Sequence, residues 1–255
     1  MIFSTGPTIP DTRIAGVLYD WVAGRSARAG AVEAIALPDS IVYVARTDTA
    51  GRFALAHLPP GSYALRAWLD ANSNRTLDPR EAYDSAGVAL SDTASVTLLA
   101  FVHDTLPPRI NTVQVVDSVT LRVELNQPLD PEQALDTTRF RLTAPDSSAL
   151  ALRAVLTADA WNRARADSIA RADTTARRTP PRPTPGAPRD SVVLPRPVPV
   201  SRFVVVTALP LQPETSYRLI AVEARNLMGR AGTSARVFTT PPRAPADTTR
   251  QAAPP

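Results

Sequence analysis

The chain has 255 residues, 44% of them hydrophobic and 20% charged, enough for one large core or two ordinary ones because domains usually run about 100–150 residues. Its formal charge of +4 rests on arginine alone, since no lysine is present, and the arginines lie scattered among 24 acids or in a Pro/Ala-rich tract, so the footprint of a nucleic-acid partner is missing. The absence of cysteine excludes disulfides and thiolate metal sites, no run of about 18 apolar residues spans a bilayer, and 26 prolines against 10 glycines point to short strands and turns, hence an all-β chain.

Residues 1–12 carry neither a charged n-region nor an apolar h-region. Ile2-Phe3-Ser4-Thr5-Gly6-Pro7 repeats the pattern of Val237-Phe238-Thr239-Thr240-Pro241-Pro242, which reads as the last strand of a domain. The expectation is that 1–12 is the remnant strand and linker of a preceding domain of that kind, with the export signal of an extracytoplasmic protein upstream of Met1.

From Arg13 the chain reads as strand after strand. Ile14, Val17 and Leu18 flank Gly16, Ala31 to Leu37 alternates up to Pro38, and Ser40 to Ala45 is a β-branched run. The turn Asp48-Thr49-Ala50-Gly51 feeds a strand in which Phe53 and Leu55 share a face. Leu58-Pro59-Pro60-Gly61 then breaks the chain, because prolines remove donors and Gly61 permits unusual backbone angles. After it, Tyr63, Leu65, Ala67 and Leu69 take one face and Ala64, Arg66 and Trp68 the other. Val88 to Leu90 and Ser95 to Phe101 close a set of about seven strands, the size of a small β-sandwich.

The order Gly16-Val17, Gly30-Ala31-Val32, Thr47 to Phe53, then Leu58-Pro59-Pro60-Gly61-Ser62-Tyr63-Ala64-Leu65, is similar to the carboxypeptidase regulatory-like family. The resemblance spans most of 13–101. It implies a transthyretin-like β-sandwich, a non-catalytic module of secreted and surface proteins, and no peptidase activity.

Behind Trp68 and Leu69 lies a polar loop. Oxygen-bearing side chains fall at its positions 1, 3, 5, 9 and 12, namely Asp70, Asn72, Asn74, Asp78 and Glu81, and Thr76 at position 7 offers its backbone carbonyl. This is the ligand spacing of an EF-hand calcium loop, and Ca²⁺ is the expected cofactor because a hard cation takes six to eight oxygens. Position 6 is Arg75 where that loop wants glycine, and the loop follows a strand rather than a helix. The same spacing also suits an Asx-rich turn in which Asp70, Asn72 and Asn74 bind their own backbone amides. Trp68, beside Arg66, reads either as a sugar-stacking platform or as a ring packed inward.

Residues 102–108 form a Pro-punctuated linker, and 109–240 repeats the β pattern. Val119, Leu121, Val123 and Leu125 alternate with Thr120, Arg122 and Glu124, the mark of a half-buried strand. Pro107-Pro108, Leu121 to Asp130, Leu209 to Tyr217, Asn226-Leu227-Met228-Gly229 and Phe238-Thr239-Thr240 together resemble the bacterial Ig-like domains of S-layer-type and other surface proteins. That implies a second sandwich after the transthyretin-like one. An insertion at 159–199 interrupts it, Ala/Arg-rich and partly helical at first, then Pro-dense and disordered, and the tail 241–255 has the same character.

His57 and His103 stand alone and are expected to be ordinary surface residues. No Gly-x-Ser-x-Gly elbow, phosphate-binding Gly loop, HExxH helix or facing carboxylate pair is present, so the chain is expected to be no enzyme. The expected function is a structural, spacer or adhesion region of a bacterial surface protein, extracytoplasmic, whose partners are other domains of that protein, a cell-surface glycan or a protein. Two alternatives are a carbohydrate-binding module with a calcium-ordered loop and the accessory region of an exported enzyme.

Overall fold

A computed structural model describes residues 9–172 and 194–242. The repeat at Ile2 to Pro7, most of the Pro-dense tract and the tail beyond 242 lie outside the described residues. Two compact units divide the chain, one drawn from 1–105 with 181–199 and the other from 106–180 with 200–255. Among the described residues the regular elements are strands apart from one α-helix and one 3-10 turn, so the protein is all-β, as its punctuation by proline predicts.

The first unit is built from β1 (Arg13–Asp20), β2 (Arg25–Ser26), β3 (Ala31–Leu37), β4 (Val42–Arg46), β5 (Arg52–Ala56), β6 (Gly61–Trp68), β7 (Tyr83–Leu90) and β8 (Thr93–Ala100). One sheet has β1 at its centre, with β5 and the short β2 antiparallel to it and β8 parallel to it. The other runs β4-β3-β6-β7, antiparallel throughout. Period-2 alternation turns Tyr63, Leu65 and Ala67 of β6 inward, where they meet Val32, Ala34, Val88 and Leu90 of their own sheet and Ile14, Leu18, Phe53, Leu55 and Leu98 of the other. Burying such side chains contributes roughly 1.5–3 kcal/mol each and is what holds the two sheets face to face.

Turn chemistry sets the register. The Asp48 carboxylate accepts N–H groups from Ala50 and Arg52, both at 2.8 Å, and Gly51 at φ +74° makes the reversal that carries the chain into β5. Thr47, buried, accepts the Gly30 N–H at 2.7 Å and donates to the Ala27 carbonyl at 2.6 Å, tying the end of β4 to the approach of β3.

The second unit consists of β9 (Ile110–Asp117), β10 (Thr120–Leu129), a 3-10 turn (Thr137–Arg139), β11 (Phe140–Thr143), β12 (Ala149–Leu150), β13 (Leu152–Thr157), α1 (Ala158–Ala172), β14 (Val200–Thr207), β15 (Ser216–Arg225) and β16 (Ala231–Thr239). Its sheets run β13-β14-β10-β9 and β12-β11-β15-β16. Between them lie Leu121, Val123, Leu125, Phe203 and Val205 from one sheet, and Phe140, Leu142, Tyr217, Leu219 and Phe238 from the other. The Tyr217 hydroxyl accepts the Gln212 N–H at 2.8 Å, which pins the loop before β15. The start of the insertion is helical, with α1 lying against β13 and β14.

Candidate functional site

The loop Asp70 to Glu81 connects β6 to β7 and is pinched at its base, where Leu69 N–H donates to the Ala82 carbonyl at 2.9 Å. Alternating Asx turns shape its first half. Asn72 Oδ1 accepts Asn74 N–H at 3.0 Å and Asn74 Oδ1 accepts Thr76 N–H at 2.8 Å. The intervening Ser73 and Arg75 are left-handed, with φ of +60° and +65°. The sharp turn that position 6 needs is therefore made by Arg75 without glycine.

The second half gathers the acids. Asp78 Oδ2 accepts both side-chain amides, from Asn72 at 2.7 Å and Asn74 at 3.0 Å. Glu81, 8% exposed, accepts Ala71 N–H at 2.9 Å through Oε1 and Asp78 N–H at 3.1 Å through Oε2, so one carboxylate clamps both ends of the loop. At the head of the loop the Asp70 side chain is 1% exposed; its Oδ2 receives Arg46 at 3.1 Å. Its other oxygen, Oδ1, is buried and has no hydrogen-bond partner. Among the described residues no three His, Cys, Asp or Glu side chains converge as a metal-type cluster.

Trp68 is 2% exposed, and its indole N–H is buried without a partner. Of the two readings open in the sequence, the sugar platform is corrected: a ring so enclosed offers no open face for stacking. Arg66 remains at the surface, paired with Glu33 at 3.1 Å. Thr76 is exposed, like most of the loop's tip.

Beside Asp70 the surface opens into a groove of about 1140 Å³, lined in part by Tyr19, Asp20, Arg25, Arg28 and Arg52. Arg25 approaches Asp20 at 3.6 Å, while Arg28 and Arg52 are exposed. Sequence spacing does not reveal this basic grouping, because the β2 region and β5 bring together residues more than twenty positions apart only on folding.

His103 is not the ordinary surface residue expected. It stacks on Tyr83 at 3.8 Å and on Phe101 at 4.3 Å between ring centroids, and desolvation holds its imidazole below the usual histidine range. Trp21, 3% exposed, meets Phe101 edge-on at 5.6 Å, donates its indole N–H to the Pro197 carbonyl at 2.9 Å and carries the Arg196 guanidinium 4.8 Å from its ring centre. Within the first unit the returning segment around Pro197 is thus fastened by Trp21.

No protein-family model matches the chain, and no curated protein matches it. Solved structures give distant likenesses. The S-layer protein rSbsC(31-844) aligns with a TM-score of 0.36 at 15% identity, over 55% of this chain and 14% of that one. A DUF3823 family protein from Bacteroides uniformis aligns with a TM-score of 0.28 at 9% identity, over 91% of this chain and 100% of that one. The shaft pilin SpaA from Lactobacillus rhamnosus GG aligns with a TM-score of 0.23 at 11% identity, over 92% of this chain and 95% of that one. The chain spans 14% of the S-layer protein's length. At such TM-scores these likenesses carry no argument about function. Among the described residues no helix is long and apolar enough to cross a membrane.

Proposed function

We propose that this chain is a non-catalytic, extracytoplasmic region of a bacterial surface protein, serving as a structural, spacer or adhesion segment whose partners are the other domains of that protein or a cell-surface glycan or protein. The observation that supports this reading is the pair of successive β-sandwich units, each closed around its own apolar core. Self-contained sandwiches in series are suited to setting distance and presenting loops, because each can hold its shape without the other. Protease shaving of intact cells of the native host tests it. Release of peptides from this chain is expected, and recovery of the chain only from the cytosol would remove the proposal.

A carbohydrate-binding role is a second reading, now resting on the groove bounded by Arg25, Arg28 and Arg52 rather than on Trp68. Guanidinium groups recognise carboxylates bidentately, so the matching ligand is an acidic glycan. Glycan-array binding by the native chain, lost in the double substitution of Arg28→Ala and Arg52→Ala, is the expected result. An array with no acidic glycan bound eliminates this reading.

A further inference from the structure

We infer that the loop Asp70 to Glu81 is a calcium site of low affinity, which orders the β6–β7 connection of the first unit. The proposal does not depend on where the protein resides. Its foundation is the coincidence of two independent features, the oxygen spacing along the loop and the buried, unpartnered Oδ1 of Asp70 at its head. A buried carboxylate oxygen without a partner is costly, and a cation is the partner that relieves it.

The loop carries the oxygens that a hard cation takes, and because its three carboxylates do not converge by themselves, calcium would be what gathers them. Asp70 supplies Oδ1, the oxygen that Arg46 leaves free. Asn72 and Asn74 each use one lone pair of Oδ1 on a backbone N–H and retain a second. Thr76 contributes its carbonyl, Asp78 an oxygen directly or through water, and Glu81, already positioned by the N–H groups of Ala71 and Asp78, contributes its carboxylate. Ca²⁺ accepts six to eight such oxygens in irregular geometry, whereas Mg²⁺ demands a tighter octahedron and keeps its waters, so the loop favours calcium.

Arg75 is the objection visible in the sequence, and the structure divides it. As a matter of backbone it vanishes, since Arg75 already holds the left-handed angle at φ +65°. As a matter of charge it stays. Three carboxylates, Asp70, Asp78 and Glu81, share the loop with Arg75 and Arg80, and Arg46 pairs with Asp70, so the formal charge at the loop is balanced and affinity falls in the range of about 10⁻⁴–10⁻³ M typical of extracellular modules.

Calorimetric titration of the full chain, with thermal unfolding followed in parallel, provides the test. Calcium is expected to release saturable heat with a dissociation constant of roughly 0.1–1 mM, and to raise the transition of the first unit by about 5 °C at about 10 mM, with magnesium at least tenfold weaker. Asp70→Asn, which keeps the shape and removes the charge, should weaken binding about tenfold. Asn74→Asp adds a carboxylate and should tighten it by a similar factor, so the idea remains testable if the first variant folds poorly. It is overturned if neither the native chain nor Asn74→Asp responds to calcium, if magnesium acts equally, or if Asp70→Asn binds as the native chain does.

Discussion

Gly16 lies in β1 where two neighbours leave no room for a side chain. A Cβ there would fall 2.1 Å from the Val96 carbonyl oxygen of β8 and 2.7 Å from the Phe53 ring of β5. Gly16→Ala is therefore expected to destabilise the first unit by roughly 1–3 kcal/mol, read as a lower urea midpoint with an unchanged slope. Arg75 is the opposite case. A non-glycine residue in the left-handed region costs about 1–2 kcal/mol, so Arg75→Gly should raise stability by about 1 kcal/mol in the same assay, and a loss would show that its side chain is needed. His103 gives the protein a pH response. Its folded pKa lies below the unfolded value, so protonation favours unfolding; the contribution is whole above about pH 6.5 and is lost as pH falls through the depressed folded value. Thermal melts between about pH 7 and 5 should show this decline, and His103→Phe should flatten it. The demand for glycine at Arg75 was legible from the loop's spacing, whereas the other two effects were not, because each depends on a neighbour distant in sequence: Val96 for Gly16 and Tyr83 for His103.

At the level of elements, the β15–β16 hairpin turns on Asn226. This residue is 1% exposed; its side-chain oxygen accepts Met228 and Arg230 N–H groups at 3.0 and 2.9 Å, and its amide donates to the Leu106 carbonyl at 2.8 Å. Asn226→Ala would leave several part-buried backbone groups without this partner and should cost the second unit roughly 1–3 kcal/mol, measured by chemical unfolding. Strands of this size were readable where alternation ran long enough. Tyr63, Leu65 and Ala67 point inward as their spacing predicts, and so do Leu121, Val123 and Leu125. The two-residue strands β2 and β12 carry too few positions to make a pattern, which is why each unit shows eight strands among the described residues where about seven were expected. The Asp70 to Glu81 loop was half legible. Its Asx turns follow from local spacing, but the ion pair of Asp70 with Arg46 joins the loop to the end of β4 and emerges only on folding.

Across the whole molecule, two separate cores imply two cooperative transitions. Differential scanning calorimetry should resolve them, with Gly16→Ala lowering one and Asn226→Ala the other; a single transition shifted by both substitutions would contradict this. The all-β class was plain from composition, whereas the parallel union of β1 with β8 was not, since strand patterns carry no sign of direction. That union determines how the first unit answers a pull. The ladder runs from Arg13 opposite Thr93 to Asp20 opposite Ala100. Tension applied where the chain enters at Arg13 and leaves at Ala100 drags parallel neighbours in opposite directions along their length. All eight residue pairs are then loaded at once, in shear, instead of opening one after another. Force spectroscopy with handles at residues 12 and 102 should give a higher rupture force than handles at residues 12 and 93, which peel the same ladder from one end. A segment joined this way behaves as a tether that yields late and all together.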